Sequence, residues 1–286
     1  MKKKVILCPN PYKDRQMEVT REAKKLLEDA GFEVRVSPEF LDEMEESIPE
    51  DISCSDLYDE LDGAVLVVSL GGDGTIMHTA RRMIGHAIPI IGVNLGTVGF
   101  LAELERSELP KLVEAARGEF KPSVRMMLKV EIERKGEIIF ENYALNDVCM
   151  HGIAQTIHMT ASGDGRKIFE FSGDGIVISS PTGSTAYSLS AGGPLVEPSA
   201  ENIIITPVCA HALVARSFVL APRRIVTVTV SDLRCSAFVS VDGGSFEVID
   251  GDILRVRKAE HQTLIAHVGD KGFYDIVYEK LGDTKR

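Results

Sequence analysis

Residues 69–75 read Ser-Leu-Gly-Gly-Asp-Gly-Thr and follow directly on an apolar run, Ala64-Val-Leu-Val-Val68. A buried strand that empties into three glycines lets backbone N–H groups approach a ligand closely and leaves φ > 0 open to the chain. Asp73, set among Gly71, Gly72 and Gly74, stands where it could meet a hydroxyl or a metal ion. The run is neither a Walker loop, which needs G-x-x-x-x-G-K-[ST], nor the dinucleotide fingerprint G-x-G-x-x-G. A tight βα turn with Asp73 capping the next helix accounts for the same residues. The motif therefore takes its meaning from what accompanies it.

Three further clusters accompany it. Asn94-Leu-Gly96-Thr97-Val98-Gly99-Phe100 also follows a buried strand. In a parallel sheet both turns lie at the carboxyl ends of strands, where α/β proteins place their ligands. Asn146-Asp147 falls within Tyr143-Ala-Leu-Asn-Asp-Val148, and alternation sets Asn146 and Asp147 on opposite faces. Both are poor strand formers, which a ligand with adjacent hydroxyls explains, and so does a turn or bulge. In the longest cluster, Asp174 opens a strand that closes on the hydroxyl-rich Ser179-Ser-Pro-Thr-Gly-Ser-Thr185. A helix N-terminus follows, whose free N–H groups can hold an anion or sugar oxygens, although Thr182 or Ser184 could equally be a plain N-cap. Gly192-Gly193-Pro194 ends that helix.

The elements that must position these residues change character along the chain. Apolar runs at 4–8, 32–36, 64–70 and 88–93 read as strands, alternating with helices at 14–30, 75–84 and 107–117. Gly31 and Gly118 stop the first and last of these, and Ser107 is the expected N-cap of the last. Residues 41–62 are acidic and aperiodic and read as a solvated connection. Such alternation implies a parallel, helix-covered sheet. From about residue 120 strands follow one another, at 125–133, 138–148, 155–161, 203–206, 217–220, 225–230, 237–241, 245–249 and 253–256. That spacing implies an antiparallel, β-rich second domain. It is interrupted by one helix near 184–191, and a last helix spans 274–281.

Composition bounds the partners. Of 286 residues, 44% are hydrophobic and 26% charged, the make-up of an ordinary globule long enough for two domains. No apolar run approaches the roughly 20 residues of a membrane span, and Val5–Pro9 after three lysines is too short for a signal peptide. The net charge of −11 speaks against nucleic acid or an anionic membrane. It also means that a phosphate at the glycine turn must find its positive charge locally, from dipoles, a few placed cations or Mg²⁺. Five scattered cysteines with no C-x-x-C pair fit a reducing cytoplasm rather than a disulfide framework or a zinc site. His78 follows the glycine turn on its helix, and no H-x-x-H spacing offers a tightly held metal.

Taken in order, Gly71-Gly72-Asp73-Gly74-Thr75, Asn94–Phe100, Asn146-Asp147 and the run from Asp174 to Tyr187 resemble the motif set of the NAD kinases. Thr206-Pro-Val-Cys-Ala-His211 and Ser240-Val-Asp242-Gly243-Gly244 extend the resemblance, which covers about residues 64–244. Gly-Gly-Asp-Gly-Thr alone is shared with phosphofructokinases and lipid kinases; the stretch 174–194 is the specific part. The resemblance implies phosphoryl transfer from ATP, or from polyphosphate in some members, to the adenosine-ribose 2′-hydroxyl of NAD⁺. It implies that Asp73 is catalytic and meets that hydroxyl, and that Gly71, Gly72, Gly74 and Thr75 admit the triphosphate, with Gly74 also beside NAD. By the same resemblance Asn146 and Asp147 bind the adenosine part, Asp174 and Ala186 serve the nicotinamide end, and Thr185, Tyr187 and Ser190 shape the pocket. His211, in a family-like stretch, reads as structural.

The implied architecture is an α/β N-terminal domain with a parallel sheet over 1–120 and a β-rich NAD-binding domain over 121–265, with the site in the cleft between them. Residues 266–286 carry a C-terminal helix returning to the N-terminal domain. The implied cofactor is Mg²⁺ or another divalent cation arriving with ATP, with no tightly bound metal. The implied assembly is a cytoplasmic homodimer or homotetramer. Two departures stand out. Many relatives have Asn-Glu where this chain has Asn146-Asp147, and Asp reaches one methylene less. Some carry Arg two positions before Asp174, reaching into a neighbouring subunit's site, where this chain has Ser172, so that contact is not assumed here; Arg166 and Lys167 are nearby cations that a solvated turn explains equally well. Two other readings compete: a lipid or sugar kinase of the same superfamily, and a non-catalytic dinucleotide-binding regulator.

Overall fold

The structure, a computed structural model, describes residues 2–38, 49, 51–96, 99–212 and 216–282. The chain divides into two units, Met1–Val124 with Thr263–Arg286, and Arg125–Gln262.

In unit 1, strands β1 (Lys4–Pro9), β2 (Glu33–Val36), β3 (Ala64–Gly71) and β4 (Ile90–Asn94) form a parallel sheet in the order β2-β1-β3-β4, with β5 (Leu104–Glu105) beside β4. The central strands are apolar throughout because helices cover both faces of such a sheet. Val5, Leu7, Leu66, Val68, Ile91 and Val93 share one core with Val19, Ala23 and Leu27 of α1 (Glu18–Asp29) and Leu112 of the last helix before unit 2. Helix α1 starts at Glu18 rather than at residue 14, because the buried Asp14 carboxylate accepts the N–H of Val19 (3.0 Å) and Thr20 (2.9 Å) from outside the helix. Of the acidic stretch 41–62, residues 41–48 and 50 lie outside the described residues. Within the rest, a short helix α2 (Leu57–Glu60) corrects the reading of a featureless connection: Asp56 caps it through Tyr58 N–H (2.8 Å), and Leu57 and Leu61 are buried. Helix α3 (Asp73–Arg82) follows the glycine turn. Helix α4 (Lys111–Arg117) starts after Pro110, not at Ser107, which lies in a preceding 3₁₀ turn; Gly118 (φ 94°) ends it as expected.

Unit 2 holds two antiparallel sheets. Its elements run β6 (Lys121–Arg134), β7 (Glu137–Ala144), β8 (Asp147–Gly152), β9 (Ile157–Gly163), β10 (Arg166–Gly173), β11 (Gly175–Ser179), α5 (Tyr187–Ser190), β12 (Ile203–Val208), β13 (Phe218–Leu220), β14 (Val226–Ser231), β15 (Ala237–Val241), β16 (Gly244–Val248) and β17 (Ile253–His267). One sheet has the order β13-β12-β11-β8-β15-β16; the other runs β10-β9-β14-β17, then β6 and β7. Inward residues at period two, among them Met126, Leu128 and Val130 of β6 and Ile176, Ile178, Ile203 and Ile205, meet in one core between the sheets.

Three expectations are corrected here. The span 138–148 is two strands, because the N–H groups of residues 145–147 leave the ladder for a side chain described below. Arg166 and Lys167 open a strand, β10, rather than sitting in a turn. The helix near 184–191 is a 3₁₀ turn (Thr182–Thr185) and a single α-turn, α5, separated by Ala186 at φ −100°, ψ −128°. Strand β17 runs well past residue 256, and its Ile265 pairs in parallel with Ile90 of unit 1. Helix α6 (Phe273–Leu281) belongs to unit 1, so the C-terminal helix does return to the N-terminal domain. Among the described residues no helix is long and apolar enough to cross a membrane.

Candidate functional site

The predicted site residues fall into two clusters, one in each unit. In unit 1, the carboxyl ends of three parallel strands meet. From β1 comes Asn10, whose N–H bonds Leu70 O (2.8 Å) and whose side-chain amide donates to Thr75 Oγ1 (3.4 Å). From β3 come Gly71, Gly72 and the first turn of α3. From β4 come Asn94, which folds back on Gly96 N–H (3.1 Å), and Leu95, whose N–H bonds Gly71 O (2.8 Å). Thr75 is buried, and its hydroxyl serves Asn10 rather than facing an opening. Thr97 and Val98 lie outside the described residues.

Asp73 does not cap its own helix. Its carboxylate crosses to the next loop and accepts three successive backbone N–H groups, from Phe100 (2.6 Å), Leu101 (3.1 Å) and Ala102 (3.2 Å). A carboxylate offers about four lone-pair sites, so one acceptor position stays open. Gly99 is required sterically, because a Cβ there would land inside the Asp73 carboxylate. The same loop is tied on its far side: Glu103 receives Gly269 N–H (2.9 Å) and pairs with His267 Nδ1 (2.6 Å). Burial pushes the Glu103 carboxyl up, but those partners outweigh it and leave the group below its ordinary value.

In unit 2 the organising side chain is Asp242. It accepts N–H from Leu145 (2.7 Å), Asn146 (3.1 Å) and Asp147 (3.0 Å), which ends β7 and sets Asn146 and Asp147 at the head of β8. Asn146 O takes Ser180 N–H (2.9 Å), and the Asn146 backbone presses so close to Gly183 that no Cβ fits there. Asn146 Oδ1 is buried with no hydrogen-bond partner among the described residues. Burial, then the charge of Asp242, push the Asp147 carboxyl up to about 7, against a hydrogen bond from Tyr187 N–H. Asp174 is exposed between β10 and β11 and shares a cavity of about 460 Å³ with His151, Gln155, Thr156 and Tyr187. Thr185 Oγ1 donates to Thr182 O (3.2 Å), so that hydroxyl holds its own turn, and Ser190 is exposed at the end of α5.

Sequence reasoning missed several of these groups. Asp242 was noted within a motif but not as the residue that sets Asn146 and Asp147. His151, Gln155 and Thr156 line the cavity with Asp174, although nothing in their spacing marks them. Lys280 of α6 brings its ammonium 4.2 Å over the Phe100 ring and into the field of Asp73. The described residues include no group of three His, Cys, Asp or Glu side chains able to hold a metal ion. Burial pushes the Cys149 thiol up to about 12, which removes it as a nucleophile.

A glycine turn with its backbone N–H groups and a carboxylate, at the carboxyl ends of parallel strands, offers what a phosphotransferase needs to position a phosphate chain. The family description "ATP-NAD kinase N-terminal domain" matches residues 5–117, and "ATP-NAD kinase C-terminal domain" matches residues 145–268. The NAD kinase of Acetivibrio thermocellus is 36% identical over 98% of this chain and 97% of its own. That of Geotalea daltonii is 38% identical over 83% of this chain and 86% of its own. In fold, the chain resembles yeast NADH kinase complexed with NADH (TM-score 0.88, 24% identity, 100% of this chain and 89% of that one). It also resembles an NAD kinase from Archaeoglobus fulgidus in complex with ATP (TM-score 0.73, 23% identity, 97% and 98%). The chain belongs to the NAD kinase family.

Proposed function

We propose that this chain transfers the terminal phosphoryl group of ATP to the adenosine-ribose 2′-hydroxyl of NAD⁺, forming NADP⁺ and ADP. The observation that carries the reading is the Asp73 carboxylate, held by three amides beside the glycine turn with one acceptor position free. Such chemistry rests mainly on positioning and charge stabilisation. The 2′-oxygen attacks the γ-phosphorus, a new O–P bond forms, the bond to the ADP oxygen breaks, and the hydroxyl proton passes to Asp73. Gly71, Gly72 and Gly74 receive the triphosphate in unit 1, with Thr75 contributing through its backbone N–H rather than its occupied hydroxyl. Asn146 and Asp147 receive the adenosine, with Asn146 Oδ1 as an acceptor awaiting a donor. Asp174 and Ala186 take the nicotinamide end, and Thr185, Tyr187 and Ser190 shape that pocket. Mg²⁺ enters as MgATP, part of the substrate. Five free cysteines fit a cytoplasmic protein, and a homodimer or homotetramer is the expected assembly, to be read by light scattering.

The test is direct. Purified protein with MgATP and NAD⁺ should form NADP⁺, and Asp73→Asn should lose turnover by about 10²-fold or more while retaining NAD⁺ binding. Wild-type protein that binds NAD⁺ but forms no NADP⁺ would make it a dinucleotide-binding regulator instead. Phosphorylation of a lipid or sugar with weak NAD⁺ binding would favour the other kinase class.

A further inference from the structure

The glycine turn carries no cation in its own sequence, and the chain as a whole is acidic, with a net charge of −11. A Walker loop solves the same problem with a lysine inside the motif. Here two lysines from distant segments stand at the turn. Lys13, on the loop after β1, directs its ammonium across the turn: a methyl group built on Gly72 would stand 2.6 Å from Lys13 Nζ, and one built on Gly96 would stand 3.6 Å away. Lys13 is exposed and has no carboxylate partner among the described residues. Most other described lysines on this unit are neutralised at close range, as in Lys111–Glu108 (2.7 Å), Lys24–Glu28 (2.7 Å) and Lys271–Glu279 (2.9 Å).

The second cation approaches from α6. Lys280 is half-buried with its ammonium over the face of Phe100, whose N–H is one of the three donors to Asp73. Burial lowers its pKa, and the charge of Asp73 acts in the opposite sense. The ring face holds the ammonium on the Asp73 side of the loop.

We propose that Lys13 and Lys280 bind the phosphate chain of the donor at the Gly71–Gly74 turn, Lys13 over the glycine backbone and Lys280 on the Asp73 side. The proposal rests on the phosphotransferase reading and supplies the charge that reading lacks. Lys13 acts where the chain is bound and Lys280 beside the reacting oxygen, so their removal separates KM from kcat.

The experiment compares Lys13→Met, Lys13→Arg and Lys280→Met with wild type and with Lys25→Met, an exposed α1 lysine paired to Asp29 (2.6 Å) and remote from the turn. MgATP affinity is measured by calorimetry and steady-state constants for both substrates by NADP⁺ formation. A charged hydrogen bond to phosphate corresponds to about tenfold or more in affinity. Lys13→Met should weaken MgATP binding and raise KM for ATP by at least that factor, leave KM for NAD⁺ within about twofold, and be largely restored by Lys13→Arg. Lys280→Met should lower kcat by more than it raises either KM, with Lys25→Met indistinguishable from wild type. Lys13→Met protein that binds MgATP as tightly as wild type overturns the assignment while the NAD kinase reading stands. Wild type that binds MgATP through Lys13 but forms no NADP⁺ overturns that reading and keeps the assignment. A wild type that does not bind MgATP overturns both.

Discussion

Each unit contains an aspartate that gathers three successive backbone N–H groups, yet the two clamps do opposite things to their surroundings. Asp73 takes residues 100–102 and stands at an open glycine turn with a lysine in its field. Asp242 takes residues 145–147 and stands next to a second carboxyl, which it helps to push up to about 7. In the first case the clamping carboxylate is itself the group to which the proposed function gives the chemistry. In the second it is scaffolding, and its cost falls on Asp147. One device, built from an anion and three N–H donors, thus serves once to aim a carboxylate and once to aim a loop.

The comparison can be broken most forcefully at Gly99. Gly99→Ala forces the Asp73 carboxylate out of its clamp, and a displacement of about 1 Å at a reacting group can cost on the order of 10²-fold. NADP⁺ formation should fall by about that factor; unchanged turnover would mean that Asp73 is not aimed by this loop. Next comes Asp242→Asn, which removes the charge from three hydrogen bonds. It should lower stability by about 2–3 kcal/mol in urea unfolding. It should also bring the pKa of Asp147 back down, as read by carboxyl NMR titration.

Asp147→Asn works in the other direction. A carboxyl whose pKa is raised on folding is protonated in both states below its unfolded value of about 3.9, where it carries no penalty. Stability is lost as pH rises from there to about 7, and the full penalty persists above that. The variant should therefore match wild type near pH 4 and be more stable by about 2 kcal/mol at pH 8. Equal stability at both pH values would show that Asp147 is not held against its charge. The smallest effect belongs to Glu103→Gln. Glu103 has a lowered pKa, so its contribution is present above the ordinary glutamate value and fades as pH falls through the folded one. A loss of about 1 kcal/mol at pH 7 should vanish in acid, as followed by thermal unfolding across pH.

Much of the scaffold was legible because its signals are local. The apolar runs of β1, β3 and β4 and the glycines that punctuate them gave the parallel sheet edge and the turn at Asp73. The succession of short strands after residue 120 gave the β-rich unit. What escaped was set by side chains acting at a distance along the chain. Asp14 moves the start of α1 by bonding from outside it, and Asp242 divides one expected strand into two by taking N–H groups 95 to 97 residues away. Motifs mark the proposed site residues, but not the side chains that stand beside them. Neither Lys13 nor Lys280 lies in a motif, and the hydroxyls of Thr75 and Thr185 turn out to be occupied within the fold.

The chain leaves unit 1 after residue 124 and regains it only at 263. During vectorial synthesis unit 2 can close from a continuous stretch, whereas unit 1 waits for the strand end at Ile265 and for α6. Lys280 and the His267 tie to Glu103 are thus delivered after every other part of the nucleotide turn has emerged. A chain that stops before residue 263 holds every residue of unit 2 and lacks the ammonium in the field of Asp73.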